Sequence, residues 1–257
     1  MSFYLYSLSG LFVGILVGLT GVGGGSLMTP LLILLFGVHP ATAVGSDLLY
    51  AAATKAVGTG VHGFRQSVDW KVVRLLATGS VPMTVLTLAF ASMAHLSHDG
   101  GSHFVKASLG AVLIFTSLLV MFRTRAVKLL GGFLGEASDH RRHLLTVVAG
   151  GILGVLVTLT SVGAGAIGVT ALIVLYPHLP TSRLVGSDIA HAVPLALLAG
   201  MGHWWLGDVN FGLVGALLLG SVPGVIIGSL WSVKVPDRFL RGALATVLLI
   251  VGARLMM

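Results

Sequence analysis

Long stretches without a charged residue constrain this chain more than any other feature of its sequence. Residues 1–46 contain no Lys, Arg, Asp or Glu, and the same holds for residues 144–182 and 209–233. A helix needs about 20 apolar residues to cross the hydrocarbon core of a bilayer, so each stretch is long enough for a span. Only 9% of the residues are charged, against roughly a quarter in soluble proteins. The sequence therefore predicts a polytopic membrane protein that a lipid bilayer covers.

Apolar runs between polar positions predict about ten helical segments. Their residue ranges are 7–20, 26–36, 41–62, 70–94, 104–122, 144–160, 165–176, 183–203, 211–231 and 239–256. At 1.5 Å per residue, the second and seventh segments cover only about half of the hydrocarbon core. We therefore expect an all-α fold with about eight spanning helices and two short helices that are broken or re-entrant.

The second half of the chain repeats the motifs of the first half in the same order. GILVGLTGVGGG at 14–25 returns as GVLVTLTSVGAG at 154–165, Gly-Ser-Asp occurs at 45–47 and 186–188, and Gly-Ser-Val-Pro occurs at 79–82 and 220–223. His62 likewise matches His203. A period this long indicates two related halves rather than a solenoid. We divide the chain into membrane repeats 1–122 and 144–257, joined by a polar link at 123–143.

Basic residues are distributed unevenly among the loops. The link is rich in Arg and Lys and is therefore predicted to be cytoplasmic. Residues 65–74 and 233–241 contain Lys and Arg, whereas their counterparts in the other half, 206–215 and 93–102, contain none. This opposite bias predicts an inverted repeat, which is common in secondary transporters. The net charge of +7 is explained by these loops, so no nucleic-acid partner is expected.

A glycine-rich break follows the first helix of each half and is the strongest candidate for an anion site. Glycines at membrane depth break a helix and free backbone N–H groups, and the next helix directs its positive dipole end at the break. Two such helix starts are suited to converge on one anion near the midplane. The alternative is that the glycines only permit close helix packing. The candidate substrate-binding positions are Thr20, Gly23, Gly24, Gly25 and Ser26 in the first half, and Gly163, Ala164, Gly165 and Ala166 in the second.

Charged residues inside predicted spans form a second group of candidates. Asp47 and Asp188 are costly at membrane depth, where an acidic residue usually has a function, and proton coupling is one candidate role. The alternative is a structural role at a helix start or interface, where carboxylates satisfy backbone donors. Lys55, about two turns after Asp47, is suited either to attract an anion or to pair with one of the aspartates. Ser46 and Ser187, which precede the aspartates, are further candidates for anion contact.

Two histidines and two prolines recur at equivalent positions. His62 and His203 lie at the ends of matching helices, where they are candidates either for carrying protons or for binding the last carbonyl groups of the helix. Pro82 and Pro223 interrupt matching spans, so each is either a hinge for alternating access or a static kink.

No enzyme signature accompanies these motifs. The chain contains no Cys, and it lacks the Gly-x-Ser-x-Gly and His-Glu-x-x-His patterns of common hydrolases. We therefore predict a non-enzyme without a metal site or cofactor.

The ordered, duplicated motifs resemble the sulfite exporter TauE/SafE family, also called the 4-toluene sulfonate uptake permease family. The matching stretches are 14–25 with its copy from 154, then 45–47 through His62 to 68–70, and 79–82. The resemblance implies a multi-pass permease of the bacterial inner membrane for sulfite, sulfonates or similar small anions. Ser161 and Ala164 stand where the first copy has Gly21 and Gly24, which leaves open whether both halves bind equally.

We therefore expect a secondary transporter that exports a small inorganic or organic sulfur-containing anion, with protons as the candidate coupling ion. An uptake permease for another small anion and a channel-like or structural membrane protein are the alternatives. The sequence does not determine the oligomeric state, and a homo-oligomer stays open.

Overall fold

A computed structural model describes residues 2–20, 25–62, 68–94, 102–134, 138–231 and 237–257. Within these ranges the chain forms eleven α-helices and no strand. The helices are α1 (Ser2–Thr20), α2 (Gly25–Phe36), α3 (Pro40–His62), α4 (Trp70–Met93), α5 (Ser102–Met121), α6 (Arg123–Leu134), α7 (Asp139–Thr160), α8 (Ala166–Leu175), α9 (Thr181–Trp205), α10 (Phe211–Trp231) and α11 (Asp237–Met256). The predicted all-helical architecture is confirmed for this part of the chain.

Several helices are long and apolar enough to cross a bilayer. Within the described ranges these are Trp70–Met93, His103–Met121, Asp139–Thr160, Thr181–Trp205 and Phe211–Gly228. Large apolar side chains such as Leu35, Leu86, Leu219 and Ile250 are exposed on the outside of the bundle. Lipid tails can cover such side chains, whereas a soluble monomer rarely exposes apolar area on this scale. The chain is therefore a multi-pass membrane protein.

The two short helices agree with the sequence, but the link differs from its expected form. Helices α2 and α8 have 12 and 10 residues, too few to span the hydrocarbon core. The link was predicted as a polar stretch, and none of the ten apolar segments was placed in it, yet α6 occupies most of it and α7 begins inside it at Asp139. The basic residues of the link obscure Val127, Leu130 and Leu134, which recur at helical spacing.

The helices of the two halves interleave. Helix α1 of the first half packs most extensively against α10 of the second, and the equivalent α7 packs against α4. Helices α3 and α9, which are counterparts, pack against each other, as do α5 and α11. Each half therefore completes the packing of the other, and residues from both halves meet where α3 contacts α9.

Glycines permit the closest of these helix contacts. A Cβ atom added at Gly220 of α10 would overlap the backbone oxygen of Ser7 in α1, and one added at Gly79 of α4 would overlap that of Val147 in α7. Small residues allow helix backbones to approach closely in membranes. Gly79 and Gly220 therefore lie where two helix backbones approach closely.

The two prolines predicted inside membrane spans lie within continuous helices. Pro82 is inside α4 and Pro223 is inside α10. Pro30 in α2 and Pro194 in α9 also lie inside helices, and no role was predicted for them. The hinge role of Pro82 and Pro223 stays a prediction.

Candidate functional site

The two aspartates lie well inside their helices rather than at the first turn. Helix α3 begins at Pro40 and α9 at Thr181, so Asp47 and Asp188 follow the helix starts by nearly two turns. Both side chains are 0% exposed. Neither aspartate therefore caps its own helix, and their partners come from other elements.

Asp47 connects the first short helix with the second break. Its Oδ2 accepts hydrogen bonds from the backbone N–H of Thr29 at 3.1 Å and from the Thr29 hydroxyl at 2.5 Å. The hydroxyl of Ser161 donates to the same oxygen at 2.9 Å. Thr29 lies near the N-terminal end of α2, and Ser161 is the C-cap of α7. One carboxylate thus bridges the two halves.

Asp188 lies against the first turn of α8 in the second half. A Cβ atom added at Gly168 would overlap its Oδ1, so this glycine provides the space for the carboxylate. The backbone N–H of Gly165 interacts with the carboxylate, although neither carboxylate oxygen completes a hydrogen bond of regular geometry with a described residue. Each short helix therefore has a carboxylate of its own half near its N-terminal end.

Lys55 is the cation of the ionic centre, the name used below for Asp47, Asp188 and Lys55. Its ammonium group interacts electrostatically with Asp188 and with Asp47, and its Nζ lies 3.5 Å from the backbone oxygen of Ala164. The equivalent position in the second half is Ala196, which is buried. The centre is therefore asymmetric: one lysine serves two carboxylates.

The second break is a true interruption between α7 and α8. Ser161, Gly163 and Gly165 all have positive φ, at 60°, 126° and 110°, a region that L side chains rarely adopt. Such a backbone ends α7 and allows the chain to turn before α8 begins. Ser161 adopts the αL conformation, which is uncommon for a residue with a side chain. Its hydroxyl reaches Asp47 from this position.

Three backbone N–H groups of this break have no hydrogen-bond acceptor among the described residues. Ser161 and Val162 donate their N–H groups to Val157 and Thr160. The N–H groups of Gly163, Ala164 and Ala166 donate to no described residue. These donors are the groups that the sequence analysis assigned to an anion, and Lys55 lies beside them. Anion binding there stays a prediction.

The first break is described only at its edges. Thr20 ends α1, while Gly25 and Ser26 begin α2. Gly23 and Gly24 lie outside the described residues.

Ser46 and Ser187 each accept a backbone hydrogen bond from the opposite half of the chain. Ser46 Oγ accepts the backbone N–H of Asn210, just before α10, at 3.0 Å. Its counterpart Ser187 accepts the N–H of Asp69, just before α4, at 2.8 Å, and donates to Arg183. Both hydroxyls therefore have backbone partners, and their predicted contact with an anion stays untested.

The two predicted histidines lie near the C-terminal ends of α3 and α9. His62 lies in the last turn of α3, and its side chain is outside the described residues. His203 Nε2 is 2.9 Å from the backbone oxygen of Thr158 in α7, and its Nδ1 is 3.5 Å from Asp208 Oδ2. A small cavity next to His203 and Asp208 is otherwise lined mainly by apolar side chains. His203 thus contacts the helix that leads into the second break.

His191 is a polar residue of the centre that the sequence analysis missed. It is 1% exposed, its Nε2 is 2.8 Å from Ser80 Oγ on α4, and it interacts electrostatically with Lys55. The equivalent residue is Tyr50, which interacts with Ser221 on α10. The two halves carry different side chains there, so the duplication did not reveal the position. The sequence did contain one indication of this position, because His191 lies about one helical turn after Asp188 and therefore on the same helix face.

A break between two helices at a buried ionic centre, in a multi-pass bundle, is typical of membrane transporters. The chain belongs to the sulfite exporter TauE/SafE family, whose model matches residues 6–255. The family resemblance inferred from the motifs is thereby confirmed.

Three relatives from Bacillus subtilis (strain 168) are similar over nearly their whole length. The probable membrane transporter protein YjnA is 38% identical over 96% of this chain and 97% of its own length. The probable membrane transporter protein YdhB is 25% identical over 90% of this chain and 91% of its own. The probable membrane transporter protein YunE is 23% identical over 99% of this chain and 97% of its own. No solved structure gives a significant match.

Proposed function

We propose that this protein is a secondary transporter that exports small sulfur-containing anions, such as sulfite or organosulfonates, across the bacterial inner membrane. The observation that carries the proposal is a set of backbone N–H groups, those of Gly163, Ala164 and Ala166, that have no acceptor in the described part of the chain. The Lys55 ammonium lies 3.5 Å from the Ala164 oxygen. Backbone donors at a helix start, together with a cation, are the chemistry that binds an oxyanion.

The interleaved packing supports an inverted-repeat transporter. The pair α1 and α10 is equivalent to the pair α7 and α4, and both are major helix contacts. We infer that the helices of one group rock against the other around the ionic centre, as in alternating access. Pro82 and Pro223 are the hinge candidates, and the basic link lies on the cytoplasmic side.

Anion flux into proteoliposomes tests the proposal. We expect saturable uptake of radiolabelled sulfite or methanesulfonate, accelerated by unlabelled anion on the opposite side. We expect Gly24→Leu to reduce this flux by about tenfold or more, because it puts a bulky residue into the glycine-rich sequence that is predicted to offer backbone N–H groups to the anion. Gly215→Leu is the matched control, since nothing lies within 4 Å of a Cβ at Gly215.

Two results would contradict the proposal. Unchanged flux in Gly24→Leu would mean that the break does not bind the anion. Flux that neither saturates nor responds to anion on the opposite side would identify a passive pore instead of a transporter.

A further inference from the structure

The carboxylate of Asp47 already occupies donors of the kind that a transported anion needs. It is fully buried and accepts both the N–H and the hydroxyl of Thr29 near the start of α2. The positive end of a helix dipole favours a negative group at this place. Asp188 lies in the equivalent position at the first turn of α8. The chain therefore supplies an anion of its own to each short helix.

The two carboxylate oxygens of Asp47 differ in their hydrogen bonding. Oδ2 carries three hydrogen bonds, whereas Oδ1 is buried without a hydrogen-bond partner among the described residues. Most buried polar atoms have a hydrogen-bond partner, so a buried carboxylate that stays ionised is expected to accept bonds on both oxygens. A protonated oxygen, in contrast, is a donor. The free oxygen is therefore a place where a proton binds without displacing any existing contact.

We propose that the Asp47 carboxylate is an internal anion that holds the α2 donors in the empty transporter, and that a substrate anion binds between the helix starts only after Asp47 takes up a proton. This inference rests on the proposed function and adds its coupling step. Two negative groups at one helix start repel strongly in a low dielectric, and one proton removes that repulsion. The proton comes from the aqueous side that the anion leaves, resides on a carboxylate oxygen of Asp47, and departs with the anion. The stoichiometry is one proton per anion at this residue.

The groups around Asp47 are compatible with this role. On its own helix, Lys55 and Tyr50 interact with the carboxylate electrostatically. From α9, Asp188 interacts with the same lysine, and so does His191.

The remaining neighbours of α3 contribute hydroxyls rather than charges. They are Thr29 from α2, Ser161 from α7 and, through Tyr50, Ser221 from α10. No charged residue of the described part of α2, α5, α7 or α10 is among the groups that interact with Asp47. Lys55 is therefore the cation that balances Asp47 until the proton arrives.

Binding of methanesulfonate as a function of pH tests this inference. Methanesulfonate keeps one negative charge between pH 5 and pH 8, so the pH dependence reports the protein and not the ligand. For the full chain in nanodiscs, we expect Kd to rise about tenfold per pH unit above the midpoint, because one proton is required per anion. We expect Asp47→Asn to bind with a Kd that no longer changes over this range, since the amide is neutral and can still accept the Thr29 and Ser161 bonds.

Ser161→Gly provides a second, independent variant. It removes one donor to Asp47, keeps the negative charge, and suits the positive φ of this position. A carboxylate with one donor fewer is protonated more easily, so we expect the midpoint of binding to move up by about one pH unit with the tenfold slope retained. A purely structural role of Ser161 would leave the midpoint in place.

Each outcome of these measurements decides a different point. A pH-independent Kd in the wild type would overturn the inference and leave the proposed transport function standing. A tenfold slope that persists in Asp47→Asn would also overturn it. If Asp47→Asn does not fold, an unchanged midpoint in Ser161→Gly would overturn it instead. Absence of methanesulfonate binding at every pH would contradict the proposed function itself, and the inference with it.

Discussion

Lys55→Met is expected to lower the thermal midpoint of the protein by on the order of 10 °C and to abolish anion flux. The substitution keeps an apolar stem of similar length but leaves the buried carboxylates of Asp47 and Asp188 without their shared cation. Removing the cation that balances a buried charge costs about 3 kcal/mol or more, because the charge is left uncompensated. Flux falls because the cation beside Ala164 disappears from the second break.

Thermal unfolding in nanodiscs measures this effect, with two companion variants. Lys71→Met is the control, since Lys71 is an exposed lysine on α4 and its loss is expected to have little effect. Adding Asp188→Asn to Lys55→Met removes one of the stranded charges and is expected to restore part of the stability. Equal midpoints for Lys55→Met and Lys71→Met would show that Lys55 does not balance the aspartates.

Gly220→Ala is expected to prevent assembly of the native bundle. A single methyl group at this position would overlap the backbone of Ser7, and a backbone atom cannot move aside as a flexible side chain can. Overpacking costs about 1–3 kcal/mol where side chains can adjust and more where they cannot. Because α1 and α10 form one of the main helix contacts, their separation affects the whole bundle.

The yield of monodisperse protein after detergent extraction measures this loss. Gly215→Ala changes a glycine of the same helix that meets nothing within 4 Å, and we expect it to match the wild type. Normal yield and stability of Gly220→Ala would mean that α1 and α10 are farther apart than described here.

Much of the fold follows from patterns that the sequence displays directly. Charge-free apolar stretches indicate the membrane helices, and the duplication places two short helices, α2 and α8, after glycine-rich breaks. These features depend on composition and local spacing, which a single sequence contains. Helix α6 was missed because the polar composition of the link outweighed its apolar periodicity.

The contacts of the ionic centre could not be predicted in the same way. Asp47 and Ser161 lie in different halves, and only the packing of α3 near the end of α7 brings them together. The sequence showed Ser161 as a departure from the glycine pattern, without a reason for it. Its hydroxyl bond to Asp47 supplies that reason. His191 was overlooked because its counterpart is Tyr50, so the two copies do not match there.

The most direct measurement is a density map of the protein in nanodiscs with 4-bromobenzenesulfonate, whose bromine marks the ligand unambiguously. We predict that the sulfonate oxygens lie about 3 Å from the N–H groups of Ala164 and Ala166, next to Lys55 and between the starts of α2 and α8. Continuous helices through both breaks, packed without space for the ligand, would contradict anion binding by these backbone donors.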